Sequence, residues 1–149
     1  MSEVVVVDAS LAFKWLVRES QSAEALALLN SWHRQGVRPA APHLMPFEVA
    51  DALHRRVVQR ELTVETAADL IARLLASQLE LHETPDLHGR ALQLASELDQ
   101  GAAYDAHYLA LAETLGCELW TADERFFRAA SAVSSNMRWI GEYVATENG

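Results

Sequence analysis

The chain of 149 residues is 50% hydrophobic and carries a net charge of -9, with 21 acidic side chains against 12 basic ones. This length suits one folded domain, residues 1–149, and the hydrophobic half argues against intrinsic disorder. No apolar stretch is long enough to predict a membrane-spanning helix. The acidic balance taken alone disfavours a nucleic-acid partner, because phosphate contacts need positive charge unless bound divalent cations reverse the local sign.

Hydrophobic periodicity predicts strands that alternate with single helices or helix pairs. In chain order we expect a strand at 3–7, helices at 11–17 and from 20 or 22 to 36, a strand at 37–41, helices at 46–57 and 63–74, a strand at 79–84, helices from 85 to a break at Gly101 and at 104–115, a strand at 118–121, a helix at 123–130 and a strand at 138–140. Ser10 is a candidate N-cap of the first helix. This order predicts an α/β sandwich with a mainly parallel sheet.

The first residues and the single cysteine both indicate a cytoplasmic protein. No basic segment precedes the four valines at 4–7, which is typical of a first strand and not of a signal peptide. Cys117 is the only cysteine, so it has no partner for an internal disulfide. We expect it to be a small buried residue in a reducing compartment.

Four acidic residues lie where the predicted fold gathers functional groups. Asp8 directly follows the first strand and Asp123 follows the fourth strand by two residues. In parallel sheets, functional groups collect beyond the carboxyl ends of the strands. Glu48 and Asp105 lie near the starts of two helices. Each acid also has a structural interpretation, as a helix cap, a partner of the helix dipole, an exposed first-turn residue or a turn residue.

Two features favour a metal site over those structural interpretations. Asp105 shares a helix face with Leu109 and Ala112, so it heads an apolar stripe that should face the sheet, and Asp8 ends a strand buried on both faces. Carboxylates in such places need a partner or remain protonated. Since few cations nearby in sequence are well placed to pair with them, a cluster of these acids suits Mg²⁺ or Mn²⁺. An all-oxygen metal site is suited to phosphodiester cleavage.

Four segments of the chain form a set with a recognisable order: VVVVDAS at 4–10, PFEVADAL at 46–53, YDAHYLALA at 104–112 and LWTADERF at 119–126. Together they resemble the PIN domain and are most similar to the VapC-type toxins of bacterial and archaeal toxin–antitoxin pairs. Each segment alone is a weak signal. Their order and spacing cover essentially the whole chain, which makes the combined resemblance specific.

The resemblance implies a PIN-like three-layer α/β/α sandwich with a central, mainly parallel sheet of about five strands. It implies Mg²⁺- or Mn²⁺-dependent endoribonuclease activity, with Ser10 and Thr121 as supporting hydroxyl residues. The implied partners are an RNA substrate and a small cognate antitoxin, and the implied assembly is a homodimer. The catalytic and metal-binding positions that the resemblance assigns are Asp8, Glu48, Asp105 and Asp123.

The helix that carries Glu48 departs from the family pattern at one position. Family members often have Asn three residues after the second acid, where this chain has Asp51. Asp51 is either a fifth acid of the site or the ion-pair partner of Arg55 at i+4, and we favour the ion pair. Arg55, Arg56 and Arg60 form the densest basic cluster, open to RNA phosphates, to an acidic antitoxin segment or simply to solvent.

Other enzyme classes with an aspartate after the first strand fit poorly. Haloacid-dehalogenase-like phosphatases need a second Asp where this chain has Ser10, and both they and response-regulator receivers need a later lysine, whereas none follows Lys14. The six histidines show no metal-binding spacing and are expected to be structural or surface residues. Two alternatives remain open: a PIN-like binding module without catalysis, and a housekeeping nuclease of RNA processing or DNA flaps.

Overall fold

The computed structural model of the chain describes residues 3–98 and 103–144. Within these ranges, five strands form one sheet in which every pairing is parallel. The strands are β1 (Val4–Val7), β2 (Arg38–Pro42), β3 (Glu80–His82), β4 (Leu119–Thr121) and β5 (Met137–Trp139). Their order across the sheet is β3-β2-β1-β4-β5, so β1 is central.

Helices connect the strands throughout the described part of the chain. They are α1 (Ala9–Leu16), α2 (Ser22–Gln35), α3 (Leu44–Val58), α4 (Val64–Ala76), α5 (Leu87–Glu97), α6 (Tyr104–Leu115) and α7 (Glu124–Ser131). A short 3-10 turn, Ile140–Glu142, follows β5. None of the helices in these ranges has the length and apolar character needed to cross a membrane.

The helices lie in two layers because the chain crosses the sheet in two directions. From β1 it moves through β2 to β3 at one edge, and it then returns past β1 to β4 and β5. Right-handed crossovers therefore place α1 to α4 on one face and α5 to α7 on the other. Consistently, α1 contacts α2 and α3, while α5 packs on α6, which lies against β1 and β2. The predicted three-layer α/β/α sandwich with a parallel sheet is confirmed.

The central strand is buried on both faces, as its continuous valine run predicts. Val6 and Val7 are completely buried, and the core around them includes Tyr108 and Phe126 from the helical layer formed by α5 to α7. Cys117 is also buried, in agreement with its expected role as a small core residue. In register, Val6 lies opposite Leu119 of β4. This pairing fixes the ends of β1 and β4 side by side.

Several element boundaries differ from those expected. The first helix begins at Ala9, and its N-cap is Asp8, whose side chain accepts a hydrogen bond from the N–H of Leu11. The prediction of Ser10 as N-cap was therefore wrong, because the carboxylate at the end of β1 reaches the free N–H first. Strand β3 is shorter than predicted because it is an edge strand that pairs only along residues 80–82. The expected break at Gly101 lies outside the described residues.

Gly116 sets the path from the helix that carries Asp105 into the strand that precedes Asp123. It ends α6 in the left-handed region with φ 63°, and its N–H is directed to the carbonyls of Ala112 and Glu113. A side chain at this φ is strained, since its Cβ approaches the following carbonyl oxygen. The turn therefore depends on glycine.

Replacing Gly116 by Ala should lower the free energy of unfolding by about 1 kcal/mol, the cost of one left-handed non-glycine residue. No heavy atom lies within 4 Å of the Cβ position, so the loss would come from the backbone alone. Urea denaturation measures this free energy. The matched control is Gly89→Ala in α5, where the Cβ position is equally open and φ is not positive, so alanine should stabilise by roughly 0.5 kcal/mol. Equal effects of the two substitutions would contradict this explanation.

Candidate active site

The four acids singled out in the sequence line one pocket of about 530 Å³. Asp8 follows β1 and Asp123 follows β4, the two neighbouring strands at which the order of the sheet reverses. Glu48 comes from the start of α3 and Asp105 from the first turn of α6. Ligand sites of parallel sheets lie at this topological position, beyond the carboxyl ends of the strands.

Asp8 is the most deeply buried acid of the pocket, with 4% of its surface exposed. Its Oδ1 accepts hydrogen bonds from the hydroxyl of Ser10 at 2.7 Å and the N–H of Leu11 at 3.1 Å, and its Oδ2 accepts one from the hydroxyl of Thr121. Burial raises the pKa of Asp8 from 3.8 to about 7, although these three hydrogen bonds oppose the shift. The nearby charge of Asp105 contributes to this rise.

Ser10 and Thr121 also connect the ends of β1 and β4. The hydroxyl of Ser10 accepts a hydrogen bond from the N–H of Ala122 at 3.0 Å, and the hydroxyl of Thr121 accepts one from the N–H of Asp123 at 3.0 Å. The same two hydroxyls hold the carboxylate of Asp8. The position of Asp8 is thereby coupled to the backbone that presents Asp123.

Glu48 is held by a residue that the sequence did not single out as functional. The hydroxyl of Tyr108 donates to Glu48 Oε1 at 2.5 Å, and the tyrosine is 1% exposed. Burial raises the pKa of Glu48, and the hydrogen bond from Tyr108 partly offsets that rise. Burial also raises the pKa of the Tyr108 phenol well above its ordinary value, so it stays a donor. The sequence pattern predicts only that Tyr108 is a core residue of α6.

Asp105 and Asp123 complete the acidic wall in different environments. Asp105 is partly buried, and burial, followed by the charges of Glu48 and Asp123, raises its pKa to about 6. Asp123 is exposed and caps α7, because its Oδ1 accepts a hydrogen bond from the N–H of Phe126 at 3.2 Å. The structural interpretation of Asp123 as an N-cap is therefore correct, and the same side chain lines the pocket.

None of the ion pairs among residues 3–98 and 103–144 includes one of the four acids. Two cations do line the pocket, Lys14 and Arg55, but they pair with Glu19 and Asp51 instead. The expected ion pair between Asp51 and Arg55 is present, and both of its members face the pocket. None of the six histidines lines it.

The donor set of the pocket fits a hard divalent cation. All four acids offer carboxylate oxygens, which Mg²⁺ and Mn²⁺ prefer, and the burial of Asp8 leaves a carboxylate in need of positive charge. Across the part of the chain that the structure describes, no three His, Cys, Asp or Glu side chains are arranged to enclose a metal ion as they stand. Like-charged carboxylates repel one another, and either a bound cation or protonation would reduce that repulsion.

Comparison with known proteins agrees with this fold. The sequence pattern of the family described as "PIN domain" matches residues 5–132. The chain belongs to the PIN domain family. A VapC ribonuclease of Mycobacterium bovis (strain ATCC BAA-935 / AF2122/97) is 30% identical over 122 residues, which is 82% of this chain and 87% of the relative. Ribonuclease VapC9 of Mycobacterium tuberculosis matches with the same identity and coverage.

Two solved structures share the fold of this PIN domain. PAE2754 of Pyrobaculum aerophilum superposes with a TM-score of 0.65 and 24% identity, over 84% of this chain and 78% of that one. VapC20 of Mycobacterium tuberculosis, described as a sarcin-ricin loop cleaving toxin, superposes with a TM-score of 0.64 and 20% identity, over 84% of this chain and 94% of that one. At these identities, the two structures support the architecture alone.

The raised pKa of Asp8 predicts that this PIN domain loses stability as the pH rises. The pKa is 3.8 ordinarily and about 7 in the folded protein, so the folded state holds an extra proton between those values. The resulting stabilisation is fully present below the lower value and is lost as the pH rises through the upper one. In EDTA, the free energy of unfolding of the wild type should therefore fall relative to that of Asp8→Asn between about pH 5 and about pH 8.

Urea denaturation at several pH values measures this difference directly. The matched control is Asp69→Asn, which removes one exposed carboxylate of α4 outside the pocket and should follow the wild type. A constant difference between the wild type and Asp8→Asn across the pH range would show that Asp8 is not a desolvated acid.

Proposed function

We propose that this PIN domain is a metal-dependent endoribonuclease and the toxin component of a VapBC-type toxin–antitoxin pair. One observation carries the proposal: four carboxylates, two that follow β1 and β4 and two on α3 and α6, line a single pocket, and no cationic side chain of the described residues pairs with them. An acidic pocket of this kind needs divalent cations before it can accept a polyanion. The relatives at 30% identity are ribonucleases by name.

Asp8, Glu48, Asp105 and Asp123 would hold Mg²⁺ or Mn²⁺. When bound, such an ion supplies a water of lowered pKa and positive charge for the phosphoryl oxygens. A group of oxygen ligands on separate elements, as these four are, can accept a hard cation with retained waters.

The surrounding residues keep these carboxylates in place. Ser10, Thr121 and the N–H of Leu11 hold Asp8, and together they donate to both of its oxygens. Tyr108 holds one oxygen of Glu48. Hydrogen bonds to the ligands of a metal site orient them and typically change metal affinity by about 10- to 100-fold. Donation to these carboxylates also favours their charged forms, which are the forms that bind a cation.

The names of similar proteins extend the proposal to a biological role. VapC9 and the Mycobacterium bovis relative are named VapC ribonucleases, and the structural neighbour VapC20 is described as a toxin. We therefore assign this chain an RNA substrate and a small cognate antitoxin as partners. From the family resemblance of the sequence we also propose a cytoplasmic location and a homodimeric assembly. A housekeeping RNA-processing nuclease and a binding module without catalysis remain the alternatives that experiment must separate.

Cleavage of a mixed RNA pool with Mg²⁺ or Mn²⁺ tests the proposed activity. Wild-type protein should cut RNA, EDTA should abolish cutting, and Asp8→Asn or Asp105→Asn should lower the rate by roughly 100-fold or more, since metal stabilisation of the transition state is worth several kcal/mol. The matched control is Asp69→Asn, an exposed acid outside the pocket, which should cut like the wild type.

Two results would contradict the proposal. Cutting that survives both pocket substitutions would show that these carboxylates are not the active site. No cutting of any RNA by folded, antitoxin-free protein with either metal would favour the binding module instead. A wild-type protein that cuts, and whose expression arrests growth unless a neighbouring small protein is co-expressed, fits the toxin and not the housekeeping nuclease.

A further inference from the structure

We propose that Lys14 and Arg55 form a phosphate subsite on the α1 and α3 side of the pocket, for a backbone phosphate next to the one that is cleaved. This inference rests on the proposed RNA substrate. Among the described residues, Lys14 and Arg55 are the only lysine or arginine side chains that line the acidic pocket, and the inference gives them a role. Phosphate contacts of this kind fix the register of a nucleic acid on a protein.

Lys14 is a cation held in a fixed position. Its side chain is 11% exposed, and its ammonium donates to Glu19 at 2.9 Å and to the carbonyl of Ser20 at 2.7 Å. An ammonium has three N–H donors, so one remains for a ligand in the pocket. Lys14 is also the only lysine of the chain, which makes its place at this pocket a specific feature.

Glu19, the ion-pair partner of Lys14, is itself held by Arg56. Arg56 donates to Glu19 at 2.6 Å and to Glu61 at 2.8 Å, and its guanidinium lies over the ring of Phe13 at 5.3 Å. Arg56 is thus a structural residue that joins α3 to the end of α1. Two arginines of the basic cluster predicted from the sequence therefore have different roles. Arg55 lines the pocket, whereas its neighbour Arg56 holds Glu19 in place.

Arg55 is a cation that remains accessible. Its side chain is 71% exposed and donates one hydrogen bond to Asp51 at 2.6 Å. A guanidinium has five N–H donors in a planar fork, so most of them remain for a phosphate. An exposed ion pair of this kind contributes little stability, so a phosphate can replace Asp51 at small cost. Asp51 is then a competitor for Arg55 in the absence of RNA.

The chemistry of the pocket favours phosphate over other ligands of these cations. A strand whose cleaved phosphate lies at the four acids brings further phosphates along the same pocket. The two cations line the same pocket as the acids: Lys14 is on α1, and Arg55 is on α3, further along that helix than Glu48. They offset part of the negative charge of the pocket, and in a chain whose total net charge is -9 such a local pair of cations favours the approach of a phosphate.

Fluorescence anisotropy with an end-labelled, short single-stranded RNA of mixed sequence tests the subsite. The titrations use the Asp105→Asn background with Mg²⁺, in which cutting of the RNA should be slowed by roughly 100-fold or more. Arg55→Gln should weaken binding by roughly three- to tenfold and reduce the slope of log K against log salt by about 0.7, the value for one phosphate of a single strand. Arg128→Gln is the matched control, because Arg128 forms an equally exposed i,i+4 pair with Glu124 outside the pocket.

Replacement of the competitor should act in the opposite direction. Asp51→Asn frees Arg55 and should tighten RNA binding, and this gain should disappear in the double variant Asp51→Asn/Arg55→Gln. Glu124→Gln, which frees Arg128 in the same way, should change binding much less. The opposite signs at Asp51 and Arg55 separate a specific contact from a general effect of charge.

Three results would overturn the subsite. The first is an equal effect of Arg55→Gln and Arg128→Gln on RNA binding. The second is no effect of Arg55→Gln, which is expected if the cations bind an acidic protein segment instead. The third is no binding of the RNA at all. The proposed nuclease function fails separately. If RNA binding depends on Arg55 but the wild-type protein never cuts RNA, the subsite is retained and the nuclease activity is rejected. If the wild-type protein cuts RNA but Arg55→Gln does not change RNA binding, the activity is retained and the subsite is rejected.

Discussion

The burial of a carboxylate at the end of the central strand is the constraint on which the rest of the site depends. Asp8 follows a fully buried valine run and is itself 4% exposed, so its charge lies where water cannot stabilise it. Three hydrogen bonds only partly compensate, and the pKa remains raised to about 7. A folded protein that keeps this arrangement either protonates the acid or binds a cation beside it.

The remaining elements of the pocket are consistent with cation binding. Glu48 and Asp105 are brought to the same pocket from the two opposite helical layers, and their pKa values are also raised. A fold that only needed to bury its core would gain nothing from the repulsion between these acids. The cations of the pocket, Lys14 and Arg55, pair with Glu19 and Asp51, which leaves the four acids without an ion-pair partner in the described residues.

The sequence predicted the positions that depend on backbone topology, and it failed where side-chain packing decides. Asp8 and Asp123 could be placed together because both follow strands, and the apolar stripe of α6 placed Asp105. The contact between Tyr108 and Glu48 joins residues 60 positions apart, and no periodicity distinguishes a phenol that donates from one that only fills the core. The direction of Lys14 into the pocket is equally invisible, since it depends on Glu19 and the loop after α1.

Direct measurement of Mn²⁺ binding tests most sharply whether the pocket is a metal site. Free Mn²⁺ gives an electron paramagnetic resonance signal that is lost on binding, so the titration reports affinity without any RNA or catalysis. Wild-type protein should bind Mn²⁺, and Asp8→Asn should weaken the affinity by roughly tenfold or more, while Asp69→Asn should not. Equal Mn²⁺ affinity in the wild type and in Asp8→Asn would contradict the central role given to the buried carboxylate.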